Sequence, residues 1–182
     1  MDKFRIYKID KDNFGSKINL LEEQYEFMFP IFGPQYPCFK KWYFSKVIPE
    51  VKNGQRISYV IQKGGLNNIY GVSILKISDN PYKHNKICSF YLSPEIRSQG
   101  IGSELISSVI KDVGDLSITL KTSITIAEDT LLKVENKKFQ SFLAKFGLHM
   151  HGAIKSCYRT GYSENIYAGN IVYPSLLGNY VN

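Results

Sequence analysis

The stretch LSPEIRSQGIGSELISSVI, residues 92–110, narrows the possible folds more than any other part of this chain. An apolar strand closed by Pro94 runs into Gly100 and Gly102. A stripe of Ile101, Leu105, Ile106, Val109, Ile110 and Val113 follows at helical spacing. Strand, tight turn and helix are thereby set in order. A helix start exposes backbone N–H groups that have no intrahelical partner and carry the positive end of the helix dipole. Phosphate binds readily at such a place. Glycines in the turn let an anion reach the amides, because a Cβ would hold it away. Arg97 adds a cation at the entrance. The same pattern also fits a plain strand-to-helix turn in which the glycines serve backbone geometry alone.

The flanking sequence supplies the remaining elements. KFRIYKID alternates Phe4 and Ile6 with Arg5 and Tyr7 and reads as a first strand. Residues 17–29 carry Leu21, Tyr25 and Met28/Phe29 at helical spacing. After the break PIFGPQYP, the residues Phe39, Trp42, Tyr43 and Val47 predict a second short helix stopped near Pro49. RISYVIQ and IYGVSILKI are two strands separated by the turn signal KGGLNN. The polar loop SDNPYKHN leads to a fourth strand, KICSFYL, and then to the opening stretch and its helix. LSITLKTSI is a fifth strand, and residues 125–135 carry no clear pattern. A helix with Phe139, Phe142, Leu143 and Phe146 follows, and two closing strands are expected near 149–158 and 163–169. The order predicts an α/β (α+β) domain, with a mixed sheet and helices packed on it. No repeat or linker divides the chain, so residues 1–182 are read as a single domain.

Bulk properties bound the function. The three cysteines Cys38, Cys88 and Cys157 are odd in number and lack metal-ligand or redox spacing, so a reduced, intracellular protein without a metal site is expected. MDKFRIYKID has no apolar signal core, and FMFPIFGPQYPCF is broken by prolines before reaching the roughly 20 residues of a membrane span. A cytoplasmic protein with no membrane association follows. Lys and Arg exceed Asp and Glu by 23 to 16, a net charge of +7, which favours an anionic ligand or partner. The basic residues are scattered, with FKKWYF the only tight cluster. A solvated basic surface serving a phosphorylated cofactor is therefore the preferred reading, and a nucleic-acid partner the alternative.

Two phosphate motifs are excluded. A Walker loop needs a longer spacer and Lys-Ser/Thr after its second glycine, where this chain has Ser103-Glu104. The dinucleotide fingerprint needs a third glycine where this chain has Leu105. What remains, RSQGIG, resembles the acyl-CoA signature of the GNAT family of N-acetyltransferases, Gln/Arg-x-x-Gly-x-Gly/Ala, placed between the fourth strand and the third helix. A second match is NKKFQSFLAKFGL, which resembles the family's fourth helix, with Asn136, Phe139, Phe142 and Gly147 in register and Leu148 for the usual Phe. The resemblance covers nearly the whole chain and is strongest from 56 to 148. It implies a mostly antiparallel sheet of six to seven strands flanked by about four helices and splayed between strands four and five.

The resemblance also implies a site. The backbone N–H groups of Ser98, Gln99, Gly100, Ile101 and Gly102 would hold the diphosphate of acetyl-CoA (coenzyme A), with Arg97 at the entrance and Ser103 capping the pocket. Backbone groups of Phe90 and Leu92 would pair with the pantetheine arm. Asn136 would contact that arm, or else be a plain helix N-cap. A preorganised N–H would polarise the thioester carbonyl, where negative charge builds during attack by an amine. The implied activity is N-acetyl transfer from acetyl-CoA to a primary amine on an unidentified acceptor, either a small molecule or a macromolecule such as a protein or aminoacyl-tRNA. The molecule acting would be a monomer or homodimer.

Two positions depart from the pattern. The tyrosine that commonly serves as general acid in helix four is Leu143 here, and a glutamate that serves some relatives is Ile87. A thiol, with a pKa of about 8.5, leaves as thiolate with modest help, so the loss need not be fatal. Strand parity puts Ile87, Ser89 and Tyr91 on the face opposite Phe90 and Leu92, leaving Ser89 and Tyr91 as candidate catalytic or substrate-contacting residues or as plain packing. His149 and His151 are proton-relay candidates or surface histidines, and Glu135 is a first-turn charge. The aromatic run of Tyr25, Phe29, Tyr36, Trp42 and Tyr43 is an acceptor wall or an apolar layer. Rival readings are a non-catalytic acyl-CoA-binding sensory module and an RNA-interacting protein on the same scaffold.

Overall fold

Alternation in FRIYKI gives β1 (Phe4–Ile9), which pairs antiparallel with β2 (Arg56–Lys63); β2 pairs antiparallel with β3 (Ile69–Lys76). Between β1 and β2 lie α1 (Phe14–Phe32) and a bent helical run made of α2 (Phe39–Trp42), a π-turn (Tyr43–Val47) and α3 (Ile48–Lys52). After β3 come β4 (Asn85–Leu92), a 3₁₀ turn (Pro94–Ile96), α4 (Ile101–Leu116), β5 (Lys121–Ala127), α5 (Lys133–Ala144), β6 (His149–Lys155) and β7 (Ser163–Asn170). The computed structural model describes residues 3–64, 68–127, 133–156, 161 and 163–171. It links the strands in the order β1-β2-β3-β4-β5-β7-β6. This is the mixed, mostly antiparallel sheet with four helical segments that the sequence predicts. Contacts gather into two units, Met1–Ile77 with Cys88–Ile106, and Ser78–Ile87 with Ser107–Asn182.

In the first unit α1 buries Leu20, Leu21, Gln24, Tyr25 and Met28, a single helical stripe, against Val60, Val72 and Ile74 of the sheet. Aromatics fill the layer: Phe39 stacks on Tyr25 at 6.3 Å and on Phe32 at 6.0 Å. The aromatic run is therefore chiefly an apolar layer, although Phe29 and Phe44 stay partly exposed. The polar groups carried into this layer satisfy one another. Gln24 donates through Nε2 to the Tyr59 carbonyl at 3.2 Å, and its Oε1 accepts from Ser58 Oγ at 2.6 Å. The Tyr43 hydroxyl lies 2.8 Å from both Gln24 Oε1 and the Leu21 carbonyl. Burial pushes the Tyr43 phenol well above the ordinary tyrosine range. Arg56, also buried, donates through Nε to Glu50 at 2.7 Å and through Nη1 to Cys88 Sγ at 2.8 Å, with Trp42 facing its guanidinium at 5.6 Å.

The second unit has its own buried knot. Asn85 Oδ1 accepts from the Ser78 N–H at 2.9 Å and from Ser117 Oγ at 2.8 Å, while Nδ2 donates to the carbonyls of Thr119 and Lys121 at 2.6 and 3.3 Å. β7 pairs antiparallel with β5 on one side and with β6 on the other. Gly147, at φ +77°, ends the α5 segment while Leu148 N–H returns to the Leu143 carbonyl, the left-handed stop that glycine allows.

Several boundaries differ from the sequence reading. The second helix does not stop at Pro49. The π-turn has already shifted the hydrogen-bond ladder, with Ile48 N–H bonding back to Tyr43, so Pro49 sits in the first turn of α3 where its missing N–H is not needed. The fifth strand starts at Lys121, not Leu116: α4 runs on to Leu116, and Leu116, Ile118 and Leu120 are all more than half exposed. Their alternation imitates a strand without a layer to bury it. α1 is longer than expected at both ends and carries Pro30 inside. The turn residues 65–67, the end of the unclear stretch at 128–132 and residues 157–158 of the expected sixth strand lie outside the described residues.

Candidate functional site

The site is built from the end of β4 upward. Cys88 and Tyr91 both pack against the core cluster under α1, yet they are three residues apart. Strict two-residue alternation cannot put both on one face, so β4 changes face between them. The parity expected from sequence is corrected accordingly: Ile87, next to Cys88, faces away from the side that Tyr91 takes. Ile87 and Ser89 are both buried, and Leu92 meets Ile61 over Gly71, where a Cβ would touch both. The parallel pairing of β4 with β5 is confined to Asn85–Ile87 against Thr122–Ile124.

Past β4 the chain makes one 3₁₀ turn, pinned by buried Ile96 and by hydrogen bonds from Ile96 N–H to Ser93 and Arg97 N–H to Pro94. Arg97 is extended, Ser98 is left-handed at φ +62°, and Gly100 is left-handed at φ +84°. A tight turn of this kind, with successive backbone N–H groups unspent, is a setting in which anion-binding concavities form. The first amide of the turn to find an acceptor is Ser103, which donates to Gly100 at 2.9 Å, joined by Glu104 at 3.1 Å. Among the described residues the backbone N–H groups of Ser98, Gln99, Gly100, Ile101 and Gly102 have no acceptor. Ser98, Gln99 and Gly100 are exposed, so water or a ligand reaches them. A Cβ built on Gly100 meets nothing within 4 Å. Glycine is thus required there by the sign of φ and not by crowding, and the space before the amides is open.

Side chains brace the turn from below. Gln99 donates through Nε2 to the Glu95 carbonyl at 2.7 Å. Arg97 donates through Nε to the Leu92 carbonyl at 2.9 Å, and its guanidinium lies 5.6 Å from the Tyr91 ring centroid. Tyr91 in turn meets Phe27 at 6.0 Å and Phe32 at 6.2 Å on α1. Sequence reasoning missed this stack, because Phe27 and Phe32 lie some sixty residues before Tyr91 and nothing in their spacing pairs them. Phe27 also lines a groove of about 550 Å³ with Glu22, Glu23 and Glu26 of α1.

The other candidates have the following surroundings. Ser103 is exposed on the first turn of α4, its amide already engaged. Asn136 is the fourth residue of α5 and so does not begin that helix, which removes the plain N-cap reading; its side chain and that of Glu135 lie outside the described residues. Leu143 is fully packed. His149 and His151 are exposed on β6, the last strand in the sheet order. Among the described residues no group of His, Cys, Asp or Glu is arranged to hold a metal ion, and no helix is long and apolar enough to cross a membrane.

Similar solved structures share this fold across most of the chain. An aminoglycoside 6'-N-acetyltransferase complexed with coenzyme A superposes with TM-score 0.64 at 13% identity, over 93% of this chain and 98% of that one. NAA60 of Arabidopsis thaliana, in complex with a bisubstrate analogue, gives 0.61 at 14%, over 93% and 100%. A Salmonella typhimurium acetyltransferase that modifies the N-terminal serine of ribosomal protein L7/L12 gives 0.57 at 15%, over 93% and 95%. At such identities the likeness is one of fold, and no curated protein sequence matches the chain. The family assignment comes from the sequence itself: residues 18–131 match the model of the acetyltransferase (GNAT) family, more than half of the chain, and the protein belongs to that family.

Proposed function

We propose that the protein is an N-acetyltransferase that moves an acetyl group from acetyl-CoA to a primary amine. The observation that carries this is the row of amides from Ser98 to Gly102 that lack an acceptor among the described residues, the first three of them exposed, at the head of α4. They suit a diphosphate: five donors without an acceptor among the described residues stand at a helix start, next in sequence to the Arg97 cation, and nothing lies within 4 Å of a Cβ built on Gly100. Acetyl-CoA would bring an activated acetyl thioester. The protein's part is binding and orientation. Backbone groups of Phe90 and Leu92 would pair with the pantetheine amides. The Leu92 carbonyl, which already accepts from Arg97, has a second lone pair for that purpose. Asn136 would contact the same arm.

No acid or base is assigned by habit. Leu143 is packed and apolar where relatives carry a tyrosine, and Ile87 is buried where some carry a glutamate. A thiol whose ordinary pKa is about 8.5 leaves without a dedicated acid, and ordered water can take the amine proton. Ser89 and Tyr91 remain the protein groups proposed nearest to the chemistry.

The test is titration of the purified protein with coenzyme A, followed by thiol release from acetyl-CoA across a panel of amines. Binding together with amine-dependent release is the expected result. Binding with release no faster than hydrolysis for every amine would favour a non-catalytic acyl-CoA-binding module, the reading that packed Leu143 keeps open. No binding at all would overturn the proposal.

A further inference from the structure

Arg97 is exposed, and an exposed arginine ordinarily samples many rotamers, a freedom it must surrender to grip an anion. In this chain two groups already restrain it. Its Nε donates to the Leu92 carbonyl at 2.9 Å, and its guanidinium lies over the Tyr91 ring at 5.6 Å. The ring is itself half-buried and held from behind, 6.0 Å from Phe27 and 6.2 Å from Phe32, the latter edge-on at 79°. The face change in β4 is what makes this possible. It turns Tyr91 toward α1, and the 3₁₀ turn brings Arg97 back over it.

We infer that Tyr91 is a positioning residue for coenzyme binding: its ring holds the Arg97 guanidinium at the mouth of the diphosphate turn. The inference rests on the proposed coenzyme site and extends it, since it gives the Tyr91 ring a role in binding that does not depend on its hydroxyl. It also ties coenzyme affinity to the α1 aromatics, because Phe27 and Phe32 fix the ring on which Arg97 lies.

The experiment is calorimetric titration with coenzyme A of wild type, Tyr91→Phe, Tyr91→Leu, Arg97→Gln and the double variant Tyr91→Leu/Arg97→Gln, each checked for folding by circular dichroism. Tyr91→Leu should weaken binding roughly two- to fivefold, the range of a partly exposed cation–π contact. Tyr91→Phe, which keeps the ring, should restore it. In the Arg97→Gln background Tyr91→Leu should cost nothing further, a coupling that a merely structural role would not produce. Should Tyr91→Leu fail to fold, Tyr91→Met replaces it, since a flexible thioether refills the space without a ring. Undiminished loss in the Arg97→Gln background, loss in Tyr91→Phe equal to that in Tyr91→Leu, or wild-type affinity in both ringless variants would each overturn the inference while the coenzyme site stands. Failure of wild type to bind coenzyme A would overturn both.

Discussion

Two regions of the first unit treat their polar groups in opposite ways. Under α1, Gln24, Tyr43, Ser58 and the carbonyls of Leu21 and Tyr59 exchange hydrogen bonds with one another in a layer closed to water. At the head of α4, the amides from Ser98 to Gly102 have no acceptor among the described residues, and Ser98, Gln99 and Gly100 are exposed. Burial accounts for the difference. A buried donor left unmade costs about 1–3 kcal/mol, so the layer must be self-sufficient. An exposed amide can wait on water at little cost and trade it for a ligand. The contrast separates residues that hold the fold from residues available for binding.

Four changes test that contrast, the largest first. Gly100→Glu should abolish coenzyme A binding in calorimetry, because the new carboxylate opposes the diphosphate. The left-handed position adds only about 1–2 kcal/mol of backbone strain, so circular dichroism should still report a folded protein. Unchanged affinity would mean that the amides serve some other anion or none. Gln24→Leu should show the reverse pattern. It removes the acceptor of the buried Ser58 and Tyr43 hydroxyls and the donor to the Tyr59 carbonyl, with a loss of about 1–3 kcal/mol in urea unfolding and coenzyme affinity unaltered. Arg97→Gln should weaken coenzyme A about tenfold, by loss of a charge-assisted contact, and leave the melting temperature within a few degrees. The smallest effect concerns pH. Burial raises the Tyr43 phenol above its unfolded value near 10, so its contribution is complete below about pH 10 and is lost as pH rises further. Tyr43→Phe should therefore lose less stability than wild type between pH 10 and 11.5; parallel curves would remove Tyr43 from the account.

Much of this fold was legible because periodicity follows burial. The α4 stripe of Leu105, Ile106, Val109, Ile110 and Val113 is buried as its spacing predicts. The strands around Val60, Val72 and Ile87 fall where the apolar runs put them. Misreadings arose where a local pattern met a tertiary exception. Alternating Leu116, Ile118 and Leu120 imitated a strand but had nothing to cover them. Pro49 looked like a helix stop until a π-turn made its missing N–H harmless. In β4 the alternation rule placed Tyr91 on the α1 side, where it lies, but misassigned Ile87, because a face change leaves no trace in a seven-letter run.

The sequence alone determined the motif: Arg97, Gly100 and Gly102 ahead of an amphipathic helix confine the chain to strand, turn and anion-ready helix start, since glycine and helical periodicity act locally. The tertiary structure decided which amides were left over and which ring carries the arginine. The ring's placement depends on Phe27 and Phe32 meeting Tyr91 across some sixty residues of chain. Contacts of that kind are set by packing, and no spacing rule records them.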